Sequence, residues 1–131
     1  MALVTMRLMP SFFNVNDAAI GQSIRQSFWV MAVGTVLLAP VAEELLYRAL
    51  LFGAVHRKSR LLAYILSILV FCGIHVVGYI GSYSPTLLAV CFLQYLPGGL
   101  VLAWAYEKSG NILTSIAIHM AINAIGTFAM R

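Results

Sequence analysis

Hydrophobic residues arrive along this chain in long blocks separated by short polar turns. Four blocks stand out: Phe28 to Val55, Leu61 to Gly81, Thr86 to Tyr106, and Ile112 to Met130. At about 1.5 Å of rise per helical residue, each of the last three covers the roughly 30 Å hydrocarbon core of a bilayer. The blocks are apolar on all sides, whereas strands of a membrane barrel alternate over about ten residues. The pattern predicts an all-α polytopic membrane protein with about four spanning helices.

Prolines mark two places where the helices should be disturbed. Pro40 has no amide proton and would leave the Val36 carbonyl unpaired, so the first span should kink or break there. The third block carries Pro97, Gly98 and Gly99, which predicts a second break; broken helices at membrane depth persist where they are packed in protein or line a wet cavity. "SYSP" and "EKSGN" read as turns. Residues 1–27 are mixed in character, with Asn16 and Asp17 as candidate helix caps before an amphipathic stretch suited to the membrane interface. The chain therefore divides into an N-terminal interfacial segment, 1–27, and one core domain, 28–131. No signal peptide is read, because a lone Arg7 is followed by Pro10 rather than by an apolar run and a cleavage site.

Composition agrees with lipid as the solvent. Hydrophobic residues make up 62% of the 131 and charged residues 9%, where soluble domains are about a quarter charged. The net charge of +4 does not imply nucleic acid, since the basic residues are scattered and only "HRKSR", His56 to Arg60, forms a cluster. A short basic loop beside a spanning helix marks the cytoplasmic face. Four crossings then place Arg57, Lys58, Arg60 and Lys108 inside and Arg7, Arg25 and Arg131 outside. Cys72 and Cys91 fall within spans and read as small core residues, with no disulfide framework. Met6, Met9, Met31, Met120 and Met130 read as packing, and His56 as an interfacial loop residue.

Against this background "PVAEELLYRALLF", Pro40 to Phe52, is anomalous. It holds Glu43, Glu44 and Arg48, and each charge at the centre of a spanning helix costs roughly 2.5 to 3.5 kcal/mol, about 8 to 10 for the three before pairing. Glu44 and Arg48 are four apart, in the favourable order for an ion pair. Glu43 points about 100° away, with Tyr47 as a candidate hydroxyl partner. Two further helices supply His75, and His119 with Asn123. Counted from the turns at the basic end, Glu43, His75 and Asn123 lie about 20 to 22 Å deep and His119 about 14 Å. Similar depth on separate helices is what a shared site requires.

A carboxylate and an imidazole beside a cavity can hold and deprotonate water. A second imidazole and an amide can donate to a developing oxyanion. That combination is acyl hydrolysis. A serine mechanism is the weaker choice, since there is no G-x-S-x-G and Ser67, Ser84 and Ser115 lack a triad context. Glu43, His75 and His119 could instead bind zinc with water in the fourth position. The blander reading is that the charges form one neutralising cluster and the histidines serve packing.

"EELLYR" at Glu43 to Arg48, "FCGIH" at Phe71 to His75 and "HMAIN" at His119 to Asn123 resemble, in order and on separate helices, the motifs E-E-x-x-x-R, F-x-x-x-H and H-x-x-x-N. These are the motifs of the CPBP family of intramembrane proteases, which holds type II CAAX prenyl endopeptidases and bacteriocin-processing or self-immunity proteins. The resemblance covers about Val36 to the C-terminus. The family commonly has Phe and Gly on either side of the Arg, where this chain has Tyr47 and Ala49.

The resemblance implies an intramembrane endopeptidase acting on a membrane-associated peptide or protein, in the bacterial cytoplasmic membrane. Glu43 and His75 would activate water, His119 and Asn123 would stabilise the oxyanion, and Glu44 with Arg48 would order the first helix. Family members have been described both as metalloproteases and as metal-independent glutamate proteases, the latter being the reading favoured for this chain. They carry further spanning helices before the first motif, which this chain is expected to lack. Prenyl proteases of the family act on cytoplasmic substrates, whereas the basic-loop count places the site in the outer half of the bilayer. The rival readings are a non-catalytic membrane scaffold or immunity protein, and a small transporter using the same groups as a proton relay.

Overall fold

A computed structural model describes residues 14–130; Met6, Arg7, Met9 and Arg131 lie outside the described residues. Helix α1, Val15–Gln26, is followed by four helices long and apolar enough to cross a membrane. These are α2 (Phe28–His56), α3 (Arg60–Val77), α4 (Pro85–Ser109) and α5 (Ile112–Ala129). The protein is an all-helical integral membrane protein of the kind the hydrophobic blocks predict.

Every described helix except α2, whose preceding Ser27 makes no side-chain cap bond, starts where the local chemistry supplies a cap. Asn14, rather than Asn16 or Asp17, caps α1 by accepting from the amides of Asn16 and Asp17. Ser59, Ser84 and Asn111 do the same for α3, α4 and α5, each through a side-chain oxygen that accepts an otherwise orphaned amide of the first turn. Gly110 has φ 62° and closes α4 in the left-handed conformation that a glycine adopts without strain. "EKSGN" is thus a helix stop and a helix start in adjacent residues.

The two expected breaks are changes of hydrogen bonding within continuous helices. α2 passes through π-helical turns at Val33–Leu38 and Leu45–Phe52, with an α-helical turn, Ala39–Glu44, between them. The Ala39 amide bonds to the Gly34 carbonyl, five residues back. Continued to Pro40, that register leaves the Thr35 carbonyl without a donor, one residue earlier than the Val36 carbonyl expected from α-helical spacing. The pieces flanking Pro40 do not separate into two helices. In α4 the helix runs through Pro97, which withholds one amide from the Leu93 carbonyl without ending the element.

Packing is inverted relative to a soluble bundle. Trp29, Leu50, Leu61, Trp104 and Leu113 are all more than half exposed and face outward, while Glu44, Arg48, Ser67, Ser115 and His119 are buried. The central apolar cluster is Tyr47, Phe71, Cys72 and Leu102, and Cys72 and Cys91 are free and buried. At the basic end Glu107 accepts from Arg60 at 2.6 and 2.8 Å and from the Tyr64 hydroxyl at 2.9 Å, with His56 Nε2 at 3.0 Å. This joins the ends of α2, α3 and α4 that a four-crossing topology brings together.

α3 and α4 approach closely at Gly99, where an added Cβ would meet Phe71 Cδ1 at 3.2 Å; the same addition at Gly73 meets nothing within 4 Å. Gly99→Val should therefore lower thermal stability in detergent micelles by about 1 to 3 kcal/mol, the usual cost of overpacking. Gly73→Ala should not lower it, and equal loss in both variants would contradict this packing.

Candidate active site

The α-helical turn between the two π-helical stretches places Glu43 and Glu44 on different faces of α2. Glu44 points into the bundle and is fully buried, as is Arg48 four residues on; Arg48 Nη1 lies 3.1 Å from Glu44 Oε1. The two are a contact ion pair rather than an aligned fork, because Nη1 and Nε lack hydrogen-bond partners. Arg48 is held instead by donating Nη2–H to the Gly99 carbonyl at 3.2 Å and by lying over the Phe71 ring, 4.6 Å from its centroid. Such a cation over an aromatic face gains more when water is excluded. The expected pairing of Glu44 with Arg48 is present.

Glu44 has a second partner that spacing did not reveal. His119 Nδ1–H donates to Glu44 Oε1 at 2.9 Å, so one carboxylate oxygen binds both Arg48 and His119. His75 is fixed in the same manner, with Nδ1–H donating to the Phe71 carbonyl at 2.7 Å. Since a carbonyl only accepts, Nδ1 of His75 carries a proton, and in the neutral ring the lone pair is then on Nε2. Both histidines present Nε2 to Glu43, whose Oε2 lies 3.9 Å from His75 Nε2 and 3.8 Å from His119 Nε2. That oxygen has no hydrogen-bond partner, and the Glu43 side chain keeps 24% of its surface exposed. The expected Tyr47 hydroxyl contact is not made; Tyr47 packs edge-on against Phe71 at 5.9 Å.

Glu43, His75, His119 and Asn123 all line one cavity of about 450 Å³, together with Asn14, Asp17, Gln94 and Tyr95 from α4 and the start of α1. His119, read as shallower, reaches the site because its anchor is Glu44, next to Glu43. Asn123 is only partly committed to the cavity: its amide donates to the Thr35 carbonyl at 2.9 Å, the group orphaned by Pro40. Thr35 Oγ1 in turn contacts Thr127 Oγ1 at 3.1 Å, so α2 and α5 are tied within the first π-helical turn. Ser67 donates to the Tyr47 carbonyl, Ser115 to the Ile112 carbonyl, and Ser84 caps α4; none of the three lines the cavity. Burial raises the Asp17 carboxyl above its ordinary range.

Zinc was the open alternative in the sequence. Ligands at about 2.0 to 2.1 Å around a tetrahedral zinc stand about 3.3 Å apart, whereas Glu43 Oε2 is 3.9 and 3.8 Å from the two imidazole nitrogens. Among the described residues no group of three or more His, Cys, Asp or Glu is arranged to hold a metal ion. Among the described residues these groups do not form a preformed zinc centre. They do match a water-binding site, since two hydrogen bonds of about 2.8 Å meeting near a right angle span about 4 Å.

Residues 25–125 match the Rce1-like type II CAAX prenyl endopeptidase family. The chain belongs to that family. Its members are generally intramembrane proteases. Among curated proteins the chain is 35% identical over 104 residues to UPF0177 protein YbdJ of Lactococcus lactis subsp. lactis (strain IL1403), a match covering 79% of this chain and 41% of the relative. UPF0177 proteins YxdF and YbdI of the same strain are 27% and 28% identical, over 72% and 90% of this chain and 47% and 60% of their own length. The chain spans about half the length of the curated relatives it matches. No solved structure matches it.

The bond from Asn123 to the Thr35 carbonyl makes a prediction about this Rce1-like core. Asn123→Ala should destabilise the protein by about 1 to 3 kcal/mol, the cost of an unsatisfied buried carbonyl. Pro40→Ala, which restores an amide at that point of the π register, should recover part of the loss in the double variant. Thermal unfolding in micelles checks this, and strictly additive effects would contradict the arrangement.

Proposed function

We propose that the chain is an intramembrane endopeptidase of the bacterial cytoplasmic membrane. It hydrolyses a peptide bond of a membrane-associated peptide or protein. The observation that carries this reading is the convergence of Glu43, His75 and His119, from three helices, with both imidazoles directed by their Nδ1 bonds to offer Nε2 to one carboxylate oxygen.

The chemistry follows from the acceptors at that point. Glu43 Oε2 and His75 Nε2 both lack a donor, so a water between them is held by its two protons with its lone pairs directed into the cavity. When the water oxygen attacks the scissile carbonyl carbon, Glu43 takes one proton. The carbonyl π-electrons move to its oxygen, and the resulting oxyanion needs donors. Asn123 has a second amide hydrogen beyond the one given to Thr35. His119 can supply a second donor from Nε2 only when that nitrogen also carries a proton, because its Nδ1 proton is given to Glu44. Collapse of the intermediate breaks the C–N bond, and the proton held by Glu43 passes to the departing amine. General base action of this kind contributes typically about 10² to 10⁴-fold, and oxyanion donors a further 10² to 10³-fold or so. No metal is needed for this sequence of steps.

The competing reading is a scaffold or immunity protein in which the same groups hold helices together. The full burial of Glu44 and Arg48 and the bond from Asn123 to Thr35 suit such a role, but Glu43 Oε2 has no hydrogen-bond partner among the described residues. The two readings part at that residue. In proteoliposomes supplied with internally quenched peptides carrying an apolar anchor, Glu43→Gln and His75→Ala should each lower turnover by about 10² to 10⁴-fold while thermal stability stays near that of the native chain. Unchanged turnover in both would sink the mechanism, and loss of stability in step with activity would favour the scaffold.

A further inference from the structure

Tyr95 belongs to none of the three motifs, yet it is the residue lying flat against His75. The ring centroids are 4.2 Å apart and the planes 26° from parallel. The tyrosine is itself held from the other side. Its hydroxyl oxygen lies 3.1 Å from Asn16 Nδ2, which donates to it, and 3.3 and 3.5 Å from the accepting oxygens Asn14 Oδ1 and Asp17 Oδ1. Asn14 also donates to Gln94 Oε1 at 2.6 Å, and Tyr79 donates to Asn16 Oδ1 at 3.3 Å. The cap and first turn of α1 are thus clamped onto the cavity wall at the ring that covers His75.

The bond from Nδ1 to the Phe71 carbonyl selects the orientation of the His75 ring but leaves it the residual play of a broad terminal torsion. A flat aromatic partner removes that freedom, with the tilted Phe71 ring at 4.8 Å as the second contact. Nε2 then stays directed at Glu43. A tyrosine retained only for apolar packing would have no need of three polar groups converging on its hydroxyl.

We propose that Tyr95 is a positioning residue for His75, and that the Asn14–Asn16–Asp17 turn positions Tyr95, so that α1 is part of the reaction machinery. The inference rests on the peptidase reading and adds a residue and an element that the family motifs do not contain.

The test uses the whole chain in proteoliposomes with the same quenched peptides, and diethyl pyrocarbonate as a probe of the His75 ring read by mass spectrometry. Tyr95→Leu should lower kcat by about 10- to 100-fold, the scale of a misplaced catalytic group, with KM within about 2-fold. Tyr95→Phe keeps the stack but loses the anchors of the ring and should fall about 3-fold, with Asn16→Ala, which removes one anchor, falling no further. Carbethoxylation of His75 should rise in Tyr95→Leu and not in Tyr95→Phe. The proposal is overturned if Tyr95→Leu keeps native kcat, if the loss is confined to KM, if Tyr95→Phe falls as far as Tyr95→Leu, or if His75 reactivity is unchanged in Tyr95→Leu. Absence of cleavage by the native chain would count against the peptidase reading; the reactivity arm would then decide alone whether Tyr95 fixes the ring.

Discussion

The buried carboxylate of Glu44 is the point on which the site depends. It accepts from His119 and faces Arg48 through the same oxygen, at 2.9 and 3.1 Å, in a region with no solvent access. A lone carboxylate there would cost several kcal/mol, and the pair offsets that cost in part, since Glu44 Oε2 and Arg48 Nε and Nη1 lack hydrogen-bond partners among the described residues. Arg48 extends the network to the Gly99 carbonyl and the Phe71 ring, tying α2 to α3 and α4. His119 extends it to α5. Glu43, the adjacent residue, is then carried by a rigid element while its own carboxylate stays unengaged. Neighbouring glutamates take opposite roles because helical spacing turns one inward to the ion pair and the other to the cavity.

The π-helical turn that precedes Ala39–Glu44 runs up to Pro40 and has a consequence for the site. Pro40 cannot donate, and the register before it moves the orphaned carbonyl to Thr35, where Asn123 satisfies it. π-helical turns of this sort recur at functional sites because they shift side chains relative to an α-helical frame. The same shift sets where Glu43 meets the two histidines. Asn123 therefore serves the backbone of α2 with one amide hydrogen and faces the cavity with the other, which couples the shape of the helix to the proposed oxyanion site.

Much of this was legible in the sequence, and the reasons differ between elements. The four spans follow from block hydrophobicity, which lipid enforces on every outward face, where Trp29, Leu50 and Leu113 lie. The pairing of Glu44 with Arg48 follows from four-residue spacing. The meeting of Glu43 with His75 and His119 was reachable through depth counting and the three motifs. The bond from His119 to Glu44 was not, because it depends on how α5 rotates against α2. The π register was hidden too: proline chemistry predicts a disturbance but not which carbonyl pays for it. Tyr95 gave no signal at all, since an aromatic residue in an apolar span reads as packing, and its polar anchors lie about 80 positions earlier. Asn14 could have been noticed as a cap candidate; Asn16 and Asp17 were the more conspicuous choices and turned out to bond Tyr95 and its surroundings.

The central claim is that two imidazoles are locked through Nδ1 so that both Nε2 atoms address Glu43. Solid-state nitrogen NMR of histidine-labelled protein in lipid bilayers at neutral pH tests it directly. The account predicts a protonated Nδ1 in both His75 and His119, with dipolar contact from His119 Nδ1 to the Glu44 carboxyl carbon and from His75 Nδ1 to the Phe71 carbonyl carbon. An unprotonated Nδ1 at either histidine, or no contact between His119 and Glu44, would contradict it.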